Sequence, residues 1–219
     1  MGMNLVTELV EVRRSILSMA AIVEQQIDRA ITALRSMDIA LARLVKAGDD
    51  EINNLEIEIE NECLRIFALT HPVAGDLRFM MAVLRINSNL ERIGDKAKSI
   101  AKRIIDLVDC APVRLPPALI EMAGKTRTML GDALTALANE DADLGRRVRV
   151  SDDPVDALQR EVFNWGHREI PAHVEATHAV IDVLSIGRAL ERVADLSAAI
   201  AEDVIFLVEG SIVRHQPPE

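Results

Sequence analysis

The chain has 219 residues, a hydrophobic fraction of 49% and a net charge of -10 at neutral pH. That is apolar material for one large or two small cores, and so acidic a chain with no dense Lys/Arg cluster is not built to bind nucleic-acid phosphates directly. The longest run free of Asp, Glu, Lys and Arg is about ten residues, against the roughly 20 needed to cross a bilayer, so membrane insertion is not expected.

Met1 to Val12 meets Glu8 and Glu11 early and has no basic n-region, so no secretory signal is expected there. Aromatic residues make up only 2%, with no Tyr. The apolar content is Ala, Leu, Ile, Val and Met, which suit helices and helical interfaces. Cys63 and Cys110 have no metal-ligand spacing and read as buried thiols in a reducing compartment.

Six helices are expected. The first runs from about Asn4 to Ala47, with Ile16, Met19, Ile27, Ile31 and Leu34 on one face. Gly48-Asp49-Asp50 breaks it and offers a carboxylate cap to the second, about Asp50 to Thr70, which buries Ile52, Leu55, Ile59, Cys63 and Ile66. His71 to Gly75 is a turn, and Asp76 can cap the third helix, which ends near Cys110. Ala111-Pro112 to Pro116-Pro117 is the one proline-rich link. The fourth helix spans about Pro117 to Asn139, and the fifth starts at Ser151-Asp152-Asp153-Pro154, with Pro in the first turn. Pro171 marks a turn, and the sixth runs from about His173 to Glu209, stopped by Gly210.

The third helix has a heptad seam: Val83, Ile86, Leu90, Ile93, Ala97, Ile100, Ile104 and Leu107. One hundred residues later it returns as Val183, Ile186, Leu190, Val193, Ser197, Ile200, Val204 and Leu207. Leu90-Glu-Arg-Ile-Gly-Asp95 is echoed by Leu190-Glu-Arg-Val-Ala-Asp195. At an offset of 103, Ile27 falls on Leu130, Leu34 on Leu137, Asp38 on Asp141, Asp49 on Asp152, Ile52 on Val155 and Leu55 on Leu158. The halves are thus copies, either two three-helix bundles or one six-helix bundle with internal pseudo-symmetry.

Each copy carries an acidic pair at i,i+4, Glu91/Asp95 and Glu191/Asp195, on a helix face pointing away from the seam. A hairpin turning near residue 73 puts Asp49 level with about residue 97 and Asn53 with Ile93. One turning near 173 puts Asp152 and Asp156 level with about 194 and 190. A single acidic i,i+4 pair is ordinarily solvated charge. Two per half, repeated in register, gather carboxylates that repel unless a cation is present. Hard oxygen donors suit magnesium, calcium, manganese or iron, whereas zinc usually brings His or Cys.

The runs Leu90–Asp95, His71-Pro-Val-Ala-Gly-Asp-Leu-Arg78, and Glu202-Asp-Val-Ile-Phe-Leu-Val-Glu-Gly210 followed by Val213-Arg-His215 resemble the PhoU family, across essentially the whole chain. The resemblance implies an all-α fold of two tandem, pseudo-symmetric three-helix bundles, residues 1–111 and 112–219. It implies acidic motifs that hold metal ions, iron foremost, with manganese, magnesium, calcium or zinc also compatible. Carried across, the ligand positions are Asp49, Glu91 and Asp95, with Asn53 a weaker candidate, and Asp152, Asp156, Glu191 and Asp195. No catalysis is implied.

The implied partners are a phosphate ABC transporter, through its ATPase, and a phosphate-sensing histidine kinase. The implied location is the bacterial cytoplasm, at the membrane only through those partners. In phosphate-replete cells such proteins dampen starvation signalling and restrain uptake. Exposed acidic clusters could also bridge a homodimer through shared cations. Asn53, where an acid is usual, leaves the first site one charge short; Ala194 stands for the glycine at Gly94, and Leu196 where members often have His.

Two competing functions are an oxygen-ligated metalloenzyme of phosphohydrolase type and a metal-free adaptor whose acidic faces meet basic partners. Glu175-Ala-Thr-His178 matches half of a di-iron motif but has no second copy. The five His residues support no triad. Trp165, Met80 and Met81 read as packing, and Arg92 and Arg192 as partners of neighbouring carboxylates.

Overall fold

A computed structural model describes residues 4–213; Arg214 and His215 of the C-terminal motif lie outside them. Among the described residues the chain is all-α, with six long helices and two short ones. They are α1 (Leu5–Ser36), α2 (Ile39–Ala47), α3 (Asp49–Leu69), α4 (Ala74–Asp106), α5 (Pro117–Asn139), α6 (Ala142–Arg149), α7 (Asp153–Ala172) and α8 (Thr177–Glu209). Single 3₁₀ turns follow α4 (Leu107–Asp109) and precede α8 (Val174–Ala176). None of these helices is long and apolar enough to cross a membrane.

The two short helices correct the expected boundaries. The first helix is not continuous to Ala47. Met37 turns left-handed (φ 51°), and the Asp38 carboxylate caps α2 by accepting from Leu41 N–H at 2.9 Å. The second half repeats the device: Glu140 is left-handed (φ 52°), and Asp141 accepts from Leu144 N–H at 2.9 Å to start α6. The backbone N–H groups of Asp38 and Asp141 also reach back to the Ala33 and Ala136 carbonyls, tying off exposed helix ends.

The caps of α3 and α4 differ from expectation too. Gly48 is the cap of α3, and Asp49 is already helical, so its carboxylate is free for other work. Asp76 acts from the third helical position, accepting from Val73 N–H at 3.2 Å.

All eight seam positions of α4, counting Leu107 just beyond its end, are buried, as are seven of the eight on α8. Leu207 is half-buried, and Ser197 satisfies its hydroxyl on the Val193 carbonyl at 2.7 Å. Each large seam residue removed from water stabilises the fold by roughly 1.5–3 kcal/mol. The two seams face each other: α4 and α8 form the most extensive helix pair, and one continuous apolar core runs through both halves. Helices α1, α2 and α3 pack on α4, while α5, α6 and α7 pack on α8.

Two ion pairs, each joining a partly exposed guanidinium to a buried carboxylate, tie α4 to α8. Arg103 near the end of α4 meets Asp182 near the start of α8 at 3.0 Å, and Arg85 near the start of α4 meets Asp203 near the end of α8 at 3.6 Å. The helices therefore run antiparallel. Positions 103 and 203 are copies of each other with opposite charge.

Among the smaller expectations, Met80 fills the core whereas Met81 is exposed; Cys63 is buried and Cys110 only half-buried, both as free thiols. Glu175 is exposed beside His173 and joins no cluster.

Candidate metal centre

The α3–α4 hairpin has the register expected of it. A side chain at Gly94 would meet the tip of Ile52 at 2.8 Å, so Gly94 leaves the room on α4 that Ile52 of α3 fills. About two turns nearer the hairpin bend along α4, the buried Asn87 amide donates to the Glu56 carbonyl at 2.9 Å. In the second hairpin, Gly166 faces Leu184 and Gly187 faces Val162. That register sets Asp156 level with Val193, about one turn from expectation, because the 3₁₀ turn after α7 moves the pivot beyond residue 173. Asp156 still lies between Glu191 and Asp195 in height.

The second cluster brings Asp156, Glu191 and Asp195 together, while Asp152 acts on Asp156 and lies beyond Asp195 in height. Burial pushes the Glu191 carboxyl above the usual range, and Asp195 and Asp156 push it further. Burial also raises Asp156, aided by Asp152 and Asp195. Arg160, Arg188 and Arg192 on the rim oppose these effects, and Arg192 donates to Asp195 at 3.0 Å. Asp152 and Asp156 sit at the start of α7, where the helix dipole favours negative charge. Glu191 and Asp195 also border an open groove of about 490 Å³, whose α4 side carries Lys96 and Ser99.

The first cluster contains two residues that sequence reasoning missed. Glu56 is one: burial raises its carboxyl, and Glu60 and Asp95 raise it further. Glu91 is raised by burial, then by Asp95, Glu56 and Asp49. Glu56 thus restores the carboxylate that Asn53 lacks, and the first cluster is not short of acids. The second half has the reverse arrangement, Asp156 and Gln159, with the acid one turn earlier. Glu56 was visible in the sequence as the residue two turns after Asp49 on the same face.

Lys98 is the other missed residue. Its ammonium donates to Asp49 at 2.5 Å, and Asp49 also accepts from the Asn53 amide at 3.2 Å. Asp49 is only 4% exposed. The hydrogen bond to Asp49 raises the Lys98 pKa, with Asp95 and Asp50 adding to it. The hairpin register alone places Lys98 beside the start of α3.

Among the described residues, no three His, Cys, Asp or Glu side chains already converge as an ion's ligand set. Holding an ion therefore requires side-chain rotations that draw in carboxylates which at present repel. The donor chemistry of the second cluster, four carboxylates and no ammonium, fits a hard cation. The first cluster fits less well, since it carries an ammonium of its own.

Two copied helical hairpins, each holding four carboxylates on the outer wall of one shared core, define a duplicated all-α scaffold with paired acidic surface sites. The family profile described as PhoU domain matches this chain twice, at residues 16–104 and 119–204. The "Phosphate-specific transport system accessory protein PhoU homolog" of Pseudomonas putida is 40% identical over 95% of this chain and 82% of its own length. The homolog of the same description from Aquifex aeolicus is 36% identical over 98% and 97%. The crystal structure of PhoU from Pseudomonas aeruginosa superposes with a TM-score of 0.89 at 34% identity, covering 95% of this chain and all of that one. That of the phosphate transport system regulatory protein PhoU from Streptococcus pneumoniae gives 0.86 at 29% identity, covering 96% and 99%. The chain belongs to the PhoU family.

Proposed function

We propose that this protein is an accessory regulator of phosphate transport and phosphate-starvation signalling, acting by binding and not by catalysis, in the bacterial cytoplasm. The observation that carries this reading is the duplicated acidic site on exposed helix faces of a continuous core, in a chain whose relatives are named as accessory proteins of phosphate-specific transport. Long helical faces and acidic surface suit docking on proteins more than turnover of a small substrate: the second cluster opens on a groove, not an enclosed cavity. The partners we assign are the transporter's ATPase and a phosphate-sensing histidine kinase. A regulator of this kind shifts its partner's equilibrium only through different affinity for the partner's two states.

The metal we assign to the second cluster is a hard cation, iron foremost, held by Asp152, Asp156, Glu191 and Asp195. Bound there, it would neutralise the repulsion among these carboxylates and rigidify the face formed by α7 and α8.

Deleting the gene is expected to derepress phosphate-responsive reporters at high phosphate, and unchanged output would contradict the role. A pull-down with the transporter ATPase tests the contact. Elemental analysis of the purified protein, before and after Asp195→Ala, tests the metal.

A further inference from the structure

The two clusters are copies with equal numbers of acids, yet only the first has an ammonium bonded to one of them. Lys98 of α4 reaches back to Asp49, and the position one hundred residues on is Ala198, which has nothing to reach with. We propose that Lys98 is a tethered counter-ion that fills the cation position of the first cluster, so that divalent-cation binding by this chain is confined to the second. The inference rests on the metal reading given above and narrows it to one half of the molecule.

The geometry supports an ammonium that stays where it is. Asp49 is buried at the start of α3 and takes two hydrogen bonds, from Lys98 at 2.5 Å and from Asn53 at 3.2 Å. Without Lys98, a buried carboxylate would lose its one cationic partner among the described residues, which is costly. A metal entering the first cluster must displace that ammonium or share the site with it.

The second cluster also has cations nearby, but they stand differently. Arg192 is no more exposed than Lys98, but the carboxylate it meets as an i,i+3 neighbour is 37% exposed, whereas that of Asp49 is 3% exposed, so water can replace the Arg192–Asp195 bond far more readily. Arg160 and Arg188 are exposed and make no hydrogen bond to the cluster. Lys96 lines the neighbouring groove but forms no ion pair with Glu191 or Asp195. A cation can therefore enter the second cluster by pushing rim side chains outward.

Manganese titration of the full chain, read by electron paramagnetic resonance and by the metal retained per chain, tests this. The wild type is expected to show one class of site, lost in Glu191→Gln and unchanged in Glu91→Gln. Lys98→Met, which keeps the aliphatic stem but not the charge, is expected to roughly double the bound manganese. The added class should vanish when Glu91→Gln is combined with it.

A wild type that loses manganese equally in Glu91→Gln and Glu191→Gln overturns the inference and leaves the metal reading standing. So does a folded Lys98→Met chain with unchanged stoichiometry. Should Lys98→Met fail to fold, the two glutamate variants decide the matter in the wild-type background. A wild type that binds no manganese and retains no iron defeats the metal reading itself, and this inference with it.

Discussion

Ile52 on α3 projects into the space that Gly94 leaves on α4, while at the corresponding places of the second hairpin stand Val155 and Ala194. The carbon that separates Ile from Val is the same increment that separates Ala from Gly. One methyl's worth of volume has moved from the shorter helix to the longer one. The acids moved similarly: Asn53 and Glu56 in one half, Asp156 and Gln159 in the other. Each copy thus kept total volume and total negative charge while redistributing both between neighbouring positions. Packing density tolerates such swaps when the sum is conserved. Lys98 against Ala198 is a change at the cluster with no matching reversal on the other side.

The largest test breaks the contact between the halves. Arg103 pairs with the buried Asp182 at 3.0 Å. Losing one partner of a buried pair costs about 3–5 kcal/mol, and the partly exposed guanidinium brings the figure down to about 2 kcal/mol. Urea unfolding of Arg103→Leu should show that loss. Asp182→Asn, which leaves no unpaired buried charge, should cost less; equal losses would mean the pair is not buried in effect.

The methyl exchange predicts a rescue. Gly94→Ala crowds Ile52 at 2.8 Å, and overpacking should outweigh the better helix propensity of Ala by about 1 kcal/mol. Ile52→Val alone should cost about 1 kcal/mol by removing a buried methyl group. The double variant, which recreates the second hairpin's pair, should be close to wild type. Additive losses in this double-mutant cycle would show that the two positions do not share space.

The helix breaks should be equivalent in the two halves. Asp38→Ala and Asp141→Ala each remove a cap made at 2.9 Å, costing about 1 kcal/mol apiece. Thermal unfolding that responds to one and not the other would mean the copied break carries weight in only one bundle.

These same breaks mark where the sequence stopped being readable. The seam of α4 and α8 could be read because an apolar residue every three or four positions leaves one solution, and the register of the first hairpin followed from its turn, whereas the second slipped by about one turn on the 3₁₀ segment before α8. The stop at Met37 could not, since neither Met nor Glu140 at the matching place advertises a left-handed conformation as glycine does. The cue was the alignment of Asp38 with Asp141, two cap residues at one repeat position. Helix α6 was hidden by its charge, with Arg146, Arg147 and Arg149 in eight residues and only Leu144 and Val148 as large apolar side chains packed on the core. The site was half legible. Carboxylates announce themselves by type and spacing, whereas Lys98 announces itself only once α3 and α4 are laid side by side.

The smallest effect concerns pH. Burial and neighbouring carboxylates raise the Glu191 and Asp156 carboxyls, so the folded chain holds those protons more tightly than the unfolded chain does. Between the usual carboxylate range and the raised values, folding therefore takes up protons, and stability falls as pH rises through that window. Acidifying from neutral pH into the window should recover stability, by less than about 1 kcal/mol because both groups are only partly buried and well screened. Glu191→Gln removes the titrating group. It should raise the melting temperature slightly at pH 7 and flatten the slope between there and pH 5, in metal-free buffer. An unchanged slope would mean these carboxylates do not repel one another, leaving the second cluster without a reason to want a cation.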